Sequence, residues 1–126
     1  MSQPSPLGLF NNNLINFFQD LQETYPEERE IKQALDALKM AKQMNPKLIL
    51  DLFTEYVYKP LSEKIIQEDE DYVIQYAKLS IQTQFNEMGP ALMIFDKHWP
   101  TMSEENRKAI WKWLKLLVRL SEMAKK

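Results

Sequence analysis

The sequence contains no cysteine. That excludes disulfides, thiolate nucleophiles and zinc–thiolate sites, and it fits a reducing, intracellular setting. Glycine occurs only twice, as Gly8 and Gly89, which argues against tight β-hairpins and against a phosphate-cradling loop. His98 is the sole histidine. No apolar run approaches the roughly 18 residues that a transmembrane helix needs. The opening MSQPSPLGLF has neither a basic n-region nor a long apolar h-region, so no secretory signal is expected. No Ser-His-Asp set, HExxH pair or glycine-rich phosphate loop is present. The chain is therefore not expected to be an enzyme, and no cofactor, metal, membrane or small-molecule substrate is expected.

What is present is a globular composition. The chain has 126 residues, 44% hydrophobic and 27% charged, the size of one domain with a single core. Residues 1–8 read as a flexible arm and 9–126 as one helical domain. The net charge is −2, but it is unevenly spread. Residues 103–126 carry seven basic and three acidic side chains, whereas the rest of the chain is acidic. A basic tail on an acidic body suggests nucleic acid, an anionic surface or the body itself as its counterpart.

Proline divides the sequence. Pro26, Pro46, Pro60, Pro90 and Pro100 each stand where an apolar period restarts, and proline suits the first turn of a helix, where its missing N–H is not needed. In YPEERE three glutamates follow the proline and complement the positive end of a helix dipole. In MNPKL, Asn45 is a candidate N-cap. The periodicity predicts helices over about 9–24, 27–44, 46–58, a short one after Pro60, 70–87, a short one through Leu92, Phe95 and Trp99, and a last one over about 103–124. An all-α bundle of six to seven helices without strands follows. The expected core is Leu14, Phe17, Leu21, Leu35, Leu38, Leu52, Phe53, Ile81, Phe85, Phe95, Ile110, Trp111, Leu114 and Leu117.

The C-terminal helix holds most of the functional signal. Thr101 and Ser103 are candidate N-caps, with Glu104 placed for a capping box. At 100° per residue, Lys108, Lys112, Lys115, Arg119, Glu122 and Lys126 share one narrow stripe, and most of the remaining circumference is apolar. Such a helix is mostly buried, with its lysines at the wet edge. Trp111 and Trp113 point to nearly opposite sides, so one of them can anchor a partner. The partner-binding set read this way is Trp111, Trp113, Leu116 and Leu120, with self-association or a protein partner expected. The alternative is nucleic-acid binding through Lys108, Lys112, Lys115 and Arg119.

Other motifs read as structure. His98 beside Trp99 and Pro100 fits a helix-end residue that packs on an aromatic ring or bonds a terminal carbonyl. The run Glu68, Asp69, Glu70 and Asp71 lacks the glycine and distal glutamate of a calcium loop, and suits a helix start. Tyr72 and Tyr76 share a helix face as partly buried packing.

The segment HWPTMSEENRKAIWKWLKLLVRL resembles the ending of small helical proteins of nucleocytoplasmic large DNA viruses that infect algae and amoebae. The matching residues are Trp99, Glu105, Asn106, Arg107, Ile110, Trp111, Trp113, Leu114 and Leu117, covering about a fifth of the chain. The resemblance implies a setting, a virion or a viral factory in an infected cell, more than an activity. A non-enzymatic interaction or structural module is the function expected.

Overall fold

Local caps set where some of the helices begin. The computed structural model describes residues 5–83 and 88–125, with the backbone alone for 81–83. α1 spans Pro6–Thr24. It starts three residues earlier than the periodicity suggested, because Ser5 accepts a hydrogen bond from the Gly8 N–H at 3.0 Å and Pro6 occupies the first turn. Residues 6–8 therefore belong to the helix and not to the expected arm.

α2 spans Arg29–Met44. Pro26 and the first glutamates of YPEERE lie in the preceding turn, not in the helix, and Glu28 holds the N-cap position. Asn45 is the single residue between α2 and α3 (Pro46–Phe53), and its side chain makes no capping bond.

The helix expected after Pro60 is not separate. α3 runs through a π-helical turn, Thr54–Tyr58, directly into α4, Lys59–Ile66. Proline inside a helix orphans the carbonyl four residues back, here that of Tyr56. The Tyr76 hydroxyl, on α5 (Glu70–Thr83), donates to that oxygen at 2.8 Å. The π turn absorbs the steric clash, with the Lys59 N–H bonded to the Thr54 carbonyl. A proline that reads locally as a break is thus spliced into a rod by a residue sixteen positions further along the chain.

α4 ends in a Schellman turn. The Asp69 N–H bonds the Lys64 carbonyl at 2.9 Å and the Glu68 N–H bonds that of Ile65 at 3.0 Å. Glu68 takes the left-handed position, with φ 54°, where glycine is normally favoured. Its carboxylate reaches Lys115 across the fold. Glu68→Gly should raise stability by about 0.5 kcal/mol, since backbone relief outweighs an exposed ion pair. A urea midpoint that falls for this variant would refute that balance.

Asp69 caps α5 by accepting the Tyr72 N–H, and Glu70 and Asp71 fill the first turn. The acidic run is a helix start, as its sequence suggests. α6 spans Gly89–Lys97, a 3-10 turn Trp99–Thr101 follows, and α7 spans Glu104–Lys125. The cap of α7 is Ser103, whose Oγ accepts the Asn106 N–H at 3.2 Å. Thr101 donates instead to the His98 carbonyl.

The described residues contain seven α-helical segments forming six rods, and no strand. α1 lies between α2 and α7 and also touches α3. α7 packs on α1, α3 and α4, and α5 packs on α6. Phe10 meets Phe53 edge to face at 5.1 Å, and Phe17 meets Trp113 at 5.7 Å. Of the expected core, Leu52 is only partly buried. The Ile81 side chain and Phe85 lie outside the described residues. Trp99, absent from that expected set, is 1% exposed. No described helix is long and apolar enough to cross a membrane.

Candidate functional site

α7 divides its circumference into a packed half and an open half. Ile110, Trp111, Leu114, Leu117, Val118, Leu120 and Ser121 face the core. The open half has two bands. Lys108, Lys112 and Arg119 form an exposed cationic band, and Ala109, Leu116 and Met123 lie beside it. Leu116 is 41% and Met123 46% exposed. Half-buried Trp113 edges the apolar band where it meets Phe17 of α1. A shallow groove of about 390 Å³ runs along Ala109, Lys112, Trp113 and Leu116.

The predicted partner set is split by this packing. Trp113 and Leu116 reach the open face. Trp111 is 6% exposed and packs against Phe95 and Trp99, and Leu120 is also buried. These two serve the core and are removed from the partner surface. Residues three or four apart in sequence share a face only approximately, and the neighbouring helices decide where the boundary falls.

The cation set is split as well. Lys115 pairs with Glu68 at 2.5 Å. Lys108, Lys112 and Arg119 form no ion pair among the described residues. Arg119 also lines a second groove, of about 580 Å³, with Tyr58, Ile66 and Val118 between α4 and α7. There the Tyr58 hydroxyl donates to Glu122 at 2.7 Å, which holds the phenol above its ordinary range, and Lys125 lies over the same ring at 4.1 Å.

A polar cluster that the sequence did not reveal joins the α1–α2 turn to α6. Glu28, at the start of α2, is 4% exposed. Its Oε1 accepts from Lys97 Nζ at 2.6 Å and lies 2.9 Å from His98 Nε2. A carboxylate only accepts, so Nε2 carries the proton. The hydrogen bond from Lys97, then that from His98, holds the Glu28 carboxyl below its ordinary range. His98 stacks on Tyr25 at 4.2 Å, not on Trp99. Burial, then the charge of Glu27, raises the Tyr25 phenol. Glu27, Glu28 and His98 bring three donor atoms within 4.8 Å of one another. A cation there would have to displace both the Lys97 ammonium and the His98 proton, so the cluster reads as an internal ion network. Lys97 and His98 adjoin in sequence, but Glu28 lies some seventy positions away, and no local pattern pairs them.

Next to it, the Trp99 indole donates to Glu70, and Arg107 donates to the Trp99 carbonyl at 2.7 Å. This clamp fixes the turn that feeds α7. The interior void, about 30 Å³ and lined by Leu14, Phe18, Phe53, Met88 and Leu117 among others, is far below the roughly 300 Å³ of a small-molecule site. Comparison with known proteins adds no neighbour: no family model, no curated protein and no solved structure matches this chain.

Proposed function

We propose that the protein is a non-enzymatic interaction module that docks a partner protein on the outer face of α7. One observation carries the reading: a row of exposed apolar side chains, Ala109, Leu116 and Met123, edged by Trp113, runs beside cations that form no ion pair among the described residues. Isolated exposed apolar residues are ordinary, whereas an aligned row with an aromatic edge is the composition of an interface core. That the partner belongs to a virion or viral factory is part of the same proposal, and its support is the resemblance of the C-terminal segment.

Nucleic acid is the competing reading. It has three cations on this stripe with no ion pair among the described residues, Lys115 being engaged by Glu68, on a chain of net charge −2. It requires affinity for DNA or RNA that falls steeply with salt.

The test places a photo-crosslinking residue at Leu116 and, separately, at Met40, which is at least as exposed but lies on α2. In the cells that make the protein, Leu116 should yield a protein adduct and Met40 should not. Equal adducts from both positions, or none from Leu116, would sink the proposal.

A further inference from the structure

We propose that the occupant of the α7 face is an acidic amphipathic helix of another protein, an inference that rests on the docking role proposed above. The first argument is geometric. A surface helix satisfies its backbone hydrogen bonds internally, so it offers no edge to which an extended peptide can add as a strand. Recognition must run through side chains at helical spacing. Ala109, Trp113, Leu116 and Met123 supply that spacing over fifteen residues, about 21 Å of helix. A partner helix of about four turns, with apolar residues at i, i+3 or i+4, and i+7, matches this length.

The second argument is charge. Lys108, Lys112 and Arg119 lie along one flank of the apolar row, all exposed and none paired among the described residues. On the opposite flank the seam with α1 carries Asp20, Thr24 and Asn106 around Ala109. The face is thus cationic on one side only. A helix lying on it meets positive charge along one edge, and carboxylates on that edge of the partner complete the pairing.

The third argument separates this occupant from the two others. In a two-fold antiparallel contact between copies, centred on Leu116, Lys112 falls beside the copy's Arg119. Like charges then meet at the rim, which disfavours this antiparallel pairing of two copies. Nucleic acid gains from cations and stacking platforms, but Leu116 and Met123 offer it neither, and the Trp113 ring is already packed against Phe17.

The experiment uses the full chain, labelled with nitrogen-15, and follows its three tryptophan indole signals. Trp99 and Trp111 are buried and serve as internal controls, whereas Trp113 borders the face. The probe is a synthetic helical peptide with leucines at i, i+3 and i+7 and glutamates along one flank. Its counterpart carries lysines in place of the glutamates.

The glutamate peptide should move the Trp113 signal alone, with affinity that falls as salt rises. The lysine peptide should bind roughly tenfold more weakly. In a Lys112→Glu, Arg119→Glu double variant the preference should invert while thermal stability stays unchanged, which rules out misfolding as the cause. Equal binding of both peptides overturns the acidic assignment. So does a Trp113 signal that moves with protein concentration alone, or with an oligonucleotide in place of the peptides. If Leu116 crosslinks a protein in cells but neither peptide moves Trp113, the docking role stands and the acidic helix is wrong. If both experiments are negative, both proposals fall.

Discussion

Trp99→Ala should destabilise the fold by about 3–5 kcal/mol, the range for emptying a buried aromatic site. Trp99 is held on all sides. Its ring stacks on Phe95 at 4.7 Å and meets Trp111 edge to face at 5.4 Å. Its indole N–H donates to Glu70, its carbonyl accepts from Arg107, and the guanidinium carbon of Arg107 lies 5.4 Å from the ring centre. Removing the ring leaves a void between α6 and α7 and also unpins the 3-10 turn that sets the direction of α7. Trp99→Phe keeps most of the packing and loses only the indole donor, so it should cost about 1–2 kcal/mol. Guanidinium unfolding of the two variants separates these contributions. An alanine variant within about 1 kcal/mol of the parent protein would show that the clamp is dispensable. In a domain of this size the loss is a large share of the total stability.

Glu28→Ala should cost about 1–2 kcal/mol at neutral pH, through loss of two charge-assisted hydrogen bonds. The value stays modest because Lys97 is largely exposed and recovers water when its partner is removed. The pH dependence is the sharper test. Lys97 and His98 hold the Glu28 carboxyl below the ordinary glutamate range. Around and below about pH 4.5 the unfolded chain therefore binds this proton more readily than the folded one. The contribution is complete above the ordinary glutamate pKa, and it is lost as pH falls through the lower folded value. Urea curves of the parent protein and the variant should differ at pH 7 and converge on acidification. A gap that stays constant down to pH 3 would show that Glu28 acts through packing alone.

Much of the architecture is legible in the residues themselves. The 3.6-residue apolar period, the prolines at helix starts and the near absence of glycine all favour helices over sheets. These are short-range effects, settled within a turn or two of chain. The lysine stripe of α7 follows from helical geometry, as does its position at the solvent edge. The acidic run at 68–71 could be read as a helix start because dipole and capping energies act over one turn.

The elements that local pattern alone misplaces share a cause. Pro60 looks like a boundary because its local cost is a lost hydrogen bond, yet Tyr76 restores that bond from another helix. Glu28 looks like one more first-turn glutamate, yet α6 brings Lys97 and His98 onto it. Trp99 reads as one residue of a short helix outside the core, yet Phe95, Trp111, Glu70 and Arg107 close around it.

What the sequence by itself determined is the all-helical class, the starts of α3, α5 and α7 to within a residue, and the band of α7 that carries charge. Only the tertiary structure decided which apolar residues of α7 stay open. Trp111 and Leu120 went to the core, and Trp113 and Leu116 to the surface. Helical periodicity sets the angle between side chains, but burial depends on where α1 and α4 lie against the helix, and that is set by contacts between distant parts of the chain.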